Sequence, residues 1–187
     1  SAQHLAIGLD CSQTYSRRTD GMLQLSDAHS RAPIGHPLNL EGRPAAVSAD
    51  GSRVVIVDDI RRTLTLADVS TGKSIGKILQ LPGHFGSFGS ADFSPDSRVL
   101  ASSSPDFALH LWDARSGKKI GKPLRGHSSY VASIAFSSDG SRIVSGSIDG
   151  SIRLWDARSG ATVGQPLHGN SSPVTYLAFS PDGSRVA

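Results

Sequence analysis

Serine, histidine and aspartate, the side chains of hydrolytic triads, recur along this 187-residue chain. Gly83-His84 returns as Gly126-His127, and a stretch rich in serine and aspartate follows each pair. A catalytic triad needs its three groups to converge once, with the serine raised on a sharp elbow. Here the types recur at a fixed spacing, and the serines that follow the two Gly-His pairs, Ser102 and Ser145, lie inside strand patterns and not on a Gly-x-Ser-x-Gly turn, so catalysis is not expected. Among the 7 histidines, His36, His110 and His168 show no metal-ligand spacing and are expected at the surface. The single cysteine, Cys11, excludes an intrachain disulfide and a multi-cysteine zinc site. It reads as an incidental thiol in a reducing, cytoplasmic setting. No Gly-x-x-x-x-Gly-Lys-Ser/Thr run cradles phosphate. No metal and no cofactor are expected.

The elements that carry these residues repeat. Leu111-Trp112-Asp113-Ala114-Arg115-Ser116-Gly117 returns 43 residues on as Leu154-Trp155-Asp156-Ala157-Arg158-Ser159-Gly160. Phe93-Ser94-Pro95-Asp96 returns at the same interval as Phe136-Ser137-Ser138-Asp139 and Phe179-Ser180-Pro181-Asp182. Weaker copies lie upstream, at Ser48-Ala49-Asp50-Gly51-Ser52-Arg53, Leu66-Ala67-Asp68 and Leu25-Ser26-Asp27. A tail repeats too: Ile34-Gly35-His36-Pro37-Leu38, Ile75-Gly76-Lys77-Ile78-Leu79, Ile120-Gly121-Lys122-Pro123-Leu124 and Val163-Gly164-Gln165-Pro166-Leu167. Within one unit, Val131–Phe136 and Arg142–Ser147 read as strands, Asp149-Gly150 as a hairpin turn, and Ile152–Trp155 as a third strand. A fourth is expected around Thr162-Val163-Gly164. Four antiparallel strands per unit mark an all-β propeller blade.

Composition agrees with many short strands. Apolar residues make up 37% and charged residues 19%, with 20 glycines and 10 prolines. The longest apolar run, Val54–Val57, is far short of a membrane span. The start shows no signal peptide and no initiator methionine, and the expectation is a piece of something longer. Net charge is +3, but aromatics are only 6%. That argues against base-stacking nucleic-acid recognition.

These residues resemble the WD-repeat family of β-propellers. The resemblance is strongest from Gly83-His84 through Trp112-Asp113 and from Gly126-His127 through Trp155-Asp156. The near-identical neighbouring repeats look most like arrays of fungal and bacterial multidomain signalling proteins. The family pattern implies hydrogen-bonded structural tetrads at His84, Ser102, Asp106 and Trp112, and at His127, Ser145, Asp149 and Trp155. It implies that 1–187 is one propeller segment. Residues 1–38 would be a partial degenerate blade, 39–80 a degenerate blade, 81–124 and 125–167 blades, and 168–187 a partial blade. About four units fall short of the usual seven, so a longer ring, or one completed by self-association, is expected. The pattern departs at Asn170 and Arg43, which replace histidine, and at Arg61, where the turn aspartate would be. Asp10–Asp20 reads as an enlarged loop between the second and third strands. The pairs Asp50/Arg53, Asp96/Arg98, Asp139/Arg142 and Asp182/Arg185 read as turn chemistry with weak ion pairs.

The function that the resemblance implies is a non-catalytic scaffold binding a protein or peptide partner on its loop-bearing top face. Phe85, Ser87, Pro105, Ser128, Tyr130, Ile148, Ser171 and Pro173 are the candidate contacts. Phe85 and Tyr130 are the best anchors, because aromatics dominate interface energetics. Two alternatives stand beside it. One is the ligand-sensing propeller of a nucleotide-binding signalling protein. The other is a carbohydrate-binding propeller, which would need exposed aromatic platforms.

Overall fold

The computed structural model describes residues 5–7, 13–39, 42–58, 63–80, 90–168 and 172–187. Every regular element in it is a strand, and the strands form four antiparallel four-stranded sheets, each a simple meander. The first sheet holds β1 (Leu5–Ile7), β2 (Gln13–Arg17), β3 (Leu23–Asp27) and β4 (Pro33–Leu38). The second holds β5 (Arg43–Val47), β6 (Arg53–Asp58), β7 (Thr63–Asp68) and β8 (Lys73–Gln80). The third holds β9 (Ala91–Phe93), β10 (Val99–Ser103), β11 (Leu109–Asp113) and β12 (Lys119–Leu124). The fourth holds β13 (Val131–Phe136), β14 (Arg142–Ser147), β15 (Ser151–Asp156) and β16 (Leu167–His168). The first strands β1, β5, β9 and β13 adjoin one another in turn, as the innermost strands of propeller blades do. Beyond them, Val174 and Leu177 pack over Gly146, and Phe179 bridges Val186.

The second and third sheets are covered on both faces, so a central strand there carries consecutive apolar residues instead of alternating. β6 shows the principle. Val54 and Ile56 enter one core with Leu23, Leu25 and Leu38 of the first sheet. Val55 and Val57 enter another, with Phe93, Leu100 and Trp112 of the third. The third core joins Leu109, Leu111 and Leu124 to Val131, Phe136, Ile143 and Trp155. The Ile-Gly-x-Pro-Leu tail has a matching geometric reason. Gly35 and Gly121 have φ of 66° and 62°, and the pairing of β3 with β4 and of β11 with β12 shifts register beside them. A bulge of this kind favours glycine.

Several expectations are corrected. Of the stretch read as a loop over Asp10–Asp20, Gln13–Arg17 is strand β2, paired along its length with β3; Cys11 lies outside the described residues. Residues 5–38 thus supply four strands where a partial blade is expected. The fourth strand of the 125–167 unit is Leu167–His168, while Thr162 makes only a lone bridge to Trp155. The Val163 N–H still reaches Leu154 O, and the ladder with β15 resumes only at Leu167. Arg61 lies outside the described residues.

Candidate functional site

The most complete polar constellation is in the fourth sheet. Trp155, on β15, donates its indole N–H to Ser145 Oγ on β14 at 2.9 Å. Ser145 Oγ lies 2.7 Å from His127 Nε2. His127 Nδ1 faces Asp149 Oδ2 at 3.3 Å and Ser151 Oγ at 3.0 Å. A carboxylate only accepts, so the imidazole proton belongs on Nδ1, and the Ser145 hydroxyl donates to Nε2. Asp149 also accepts from the Ser128 N–H at 2.8 Å, the Ser151 N–H at 2.8 Å and the Ser151 hydroxyl at 2.6 Å. The chain indole, hydroxyl, imidazole, carboxylate therefore ties the loop before β13 to β14 and β15.

The electrostatics follow from burial. Desolvation holds the His127 imidazole below its ordinary 6.5, Asp149 pulls the other way, and Arg153 adds to the lowering. Burial by itself would raise the Asp149 carboxyl. The bonds from the Ser151 hydroxyl and from the Ser128 and Ser151 N–H groups outweigh it and hold the carboxyl well below the usual range. The set contains serine, histidine and aspartate, yet Ser145 is 0% exposed. No substrate carbonyl reaches its Oγ while the blade is folded.

The third sheet repeats the indole-to-serine part of this pattern among the described residues. Trp112 donates to Ser102 Oγ at 2.9 Å, and Ser102 is buried. Asp106 turns elsewhere: Oδ2 accepts from Arg125 at 2.6 Å, and Oδ1 lies 3.4 Å from His110 Nε2. His84 lies outside the described residues. The surface expectation for His110 is wrong: the residue is 8% exposed and stacks against Trp112 on the same face of β11. Burial lowers its proton affinity first, Lys119 adds to the lowering, and Asp106 opposes it. His36 and His168 are exposed.

The aspartates at the first turn of each unit work mainly with serines. Ser137 Oγ donates to Asp139 at 2.6 Å, Asp139 accepts from the Ser141 N–H, and the Arg142 N–H returns to Ser137 Oγ. Asp50 and Asp182 repeat the arrangement. The Ser137 and Ser180 hydroxyls hold Asp139 and Asp182 at about 2. Arg53 reaches Asp68 at 2.6 Å instead of Asp50, and Arg98 stands 4.0 Å from Asp96. The aspartate of each Trp-Asp pair likewise caps its own turn, Asp113 through Ser116 and Asp156 through Ser159.

At the blade end that carries the β10–β11 and β14–β15 turns, Phe107 and Tyr130 meet edge to face, with centroids 4.9 Å apart and planes at 89°. Both are half-buried. Phe107 has φ of 62°, a left-handed conformation that costs a bulky residue about 1–2 kcal/mol. Ile148 N–H donates to Tyr130 O at 2.9 Å, so the two turns share this edge. Pro105 is half-buried, and Ser128 and Pro173 are exposed. Phe85, Ser87 and Ser171 lie outside the described residues. Sequence reasoning missed Phe107, Ser151 and Arg125. The available signal for Phe107 was its place after the turn aspartate, where the next unit has Gly150.

Comparison with known proteins now adds to this geometry. The profile of the WD domain, G-beta repeat family matches residues 75–113, 117–156 and 161–187. This chain belongs to the WD-repeat family. It is also similar to WD repeat-containing protein SL1-17 of Schistosoma mansoni, with 35% identity over 86 residues. The match covers 44% of this chain and 27% of that relative. WD repeats imply a propeller scaffold for protein interactions, and such propellers are generally non-catalytic. Among the described residues no helix is long and apolar enough to cross a membrane, and no group of three or more histidine, cysteine, aspartate and glutamate residues could hold a metal.

Proposed function

We propose that this WD-repeat chain is a non-catalytic platform that docks a protein or peptide segment on the loop end of its third and fourth blades. The observation that carries the reading is the Phe107–Tyr130 pair, one ring from each blade. A bulky residue kept in a left-handed turn is a cost that surrounding structure must sustain, and such residues cluster at functional sites. The pair offers a rigid aromatic edge at low entropic cost, flanked by Pro105 and by the guanidinium of Arg125, whose side chain is 62% exposed. A segment presenting an apolar or aromatic side chain suits this edge. The buried tetrad holds the two turns in place and does not contact the partner.

The test is selection of binders from a displayed random-peptide library against the 187-residue chain. Selected peptides are expected to lose at least tenfold in affinity when Phe107→Ala and Tyr130→Ala are combined, with the melting temperature checked separately. Peptides that bind the double variant as tightly as the parent would overturn the reading.

A further inference from the structure

Lysine is confined to one part of this molecule. The chain's five lysines, Lys73, Lys77, Lys118, Lys119 and Lys122, all lie on β8 and β12 or directly before β12. These are the outermost strands of the second and third blades. Residues 73–80 and 118–125 contain no aspartate or glutamate. The matching stretches of the first and fourth blades, 32–38 and 161–167, contain no lysine, arginine, aspartate or glutamate. Lysines on an edge strand discourage chance pairing. The first and fourth blades do without them on the same kind of edge, so edge protection does not account for the pattern.

Register gathers part of this charge around one cleft. Lys119 pairs with Trp112, and its Nζ stands 5.1 Å over the indole ring. Lys73 pairs with Asp68. Ile75, two places on, shares its face and packs against the core that holds Trp112. Lys73 and Lys119 therefore flank the outer mouth of the cleft between the second and third blades, over an apolar floor. Lys73, Lys118, Lys119 and Lys122 are exposed, and Ile120 beside them is 39% exposed. None of these four lysines pairs with a carboxylate among the described residues. Asp68 takes Arg53, Asp106 takes Arg125, and Asp113 caps its own turn.

We infer that this outer mouth docks an extended acidic polypeptide segment, at a place separate from the loop-end aromatic edge. A stripe of one charge sign, without internal partners, attracts the opposite sign and steers its approach. The stripe follows strand β12, whose 6 residues span about 20 Å, the length of a short extended segment. Carboxylates of such a segment meet the lysines, while its apolar side chains find Ile120 and Ile75. Trp112 is 9% exposed and lies under Lys119, so it offers no open ring for a nucleic-acid base. A stripe along a cleft also matches a chain better than the plane of a bilayer. Outer strands face away from the propeller axis at any blade number, so the stripe stays open however the ring is completed.

Fluorescence anisotropy on the full chain, with a labelled glutamate-rich peptide carrying interspersed valines, tests this. Affinity is expected to fall roughly tenfold when Lys73→Gln, Lys119→Gln and Lys122→Gln are combined, the sum of three screened ion pairs. In the parent it is expected to fall as salt rises from about 50 to about 150 mM. Arg142→Gln with Arg185→Gln, which removes charge from two other exposed positions, is expected to leave it unchanged. Equal affinity for the parent and the lysine variant, or no dependence on salt, overturns the inference. So does loss of binding in the Phe107→Ala, Tyr130→Ala variant, which would put the peptide on the loop end. Tighter binding of a single-stranded oligonucleotide or of phosphatidylserine vesicles than of the peptide overturns the polypeptide as occupant.

Discussion

The third and fourth blades share the sequence Leu-Trp-Asp-Ala-Arg-Ser-Gly and the same 2.9 Å indole-to-serine bond, yet their turn aspartates behave differently. Asp149 is drawn inward, with its side chain 11% exposed, while Asp106 is 37% exposed and meets Arg125. Just after the turn aspartate the blades differ in the residues that could bond it. Gly150, Ser151 and Arg153 of the fourth correspond to Phe107, Ala108 and His110 of the third. Ser151 supplies both a hydroxyl and an N–H that fix Asp149 against His127; Ala108 offers Asp106 no hydroxyl. In the fourth blade Ser151 thus joins the marker residues in closing the network. Among the described residues Asp106 is held by Ser104, His110 and Arg125, and Asp149 by Ser128, His127 and Ser151.

The sharpest break in that comparison is at the indoles. Trp155→Ala should cost about 3–5 kcal/mol, and Trp112→Ala roughly 1 kcal/mol less, because Trp112 is already 9% exposed against 1% for Trp155. Chemical denaturation measures both, and equal losses would remove the asymmetry. Next come the carboxylates. Asp149→Ala should cost about 2–3 kcal/mol by orphaning the Ser128 and Ser151 donors and His127, whereas Asp106→Ala should cost under about 1 kcal/mol.

The titration of His127 tests the same network through its charge. Its folded value lies below 6.5, so the contribution of the neutral ring is present above 6.5 and is lost as pH falls through the folded value. Nitrogen-15 spectra should place its midpoint below 6.5, and Asp149→Asn should move it lower still, since Asp149 is what draws it upward. A midpoint at or above 6.5 would show a hydrated ring. The smallest effect concerns backbone strain. Ser97, at φ 60°, stands where the fourth blade has Gly140. Ser97→Gly should stabilise the third blade by up to about 1 kcal/mol, offset in part by the lost bond from the Asp50 N–H. A melting temperature that falls would mean that this bond outweighs the strain.

The repeat interval and its turns were readable from local spacing, and the two indole–serine pairs followed from the family resemblance. Four things were not. His110 lies between Leu109 and Leu111, and alternation assigns it to a wet face; the blade is covered on both faces, so the face is dry. Gln13-Thr14-Tyr15-Ser16-Arg17 is polar enough to read as a loop, and only its pairing with β3 makes it a strand. Asp106-Phe107 hides a left-handed turn that glycine would have advertised, so the aromatic pair across two blades had no local signal. Asp92, on β9, stands where the other units carry Ala46, Ala135 and Ala178, but its role depends on the Phe136 N–H, 44 positions further along.

The lacing of inner strands runs one way. Ser90 and Asp92 serve amides of the fourth blade, and Ser133 serves Leu177 beyond it. Along these inner strands the side-chain acceptors belong to the earlier unit, while at the turns Ser97 of the third blade serves the Asp50 N–H of the second. Excising the third blade would leave Ile134 and Phe136 with bare donors, while excising the fourth would leave only idle acceptors behind. Local opening that starts in the third blade should therefore spread toward higher residue numbers more readily than toward lower ones.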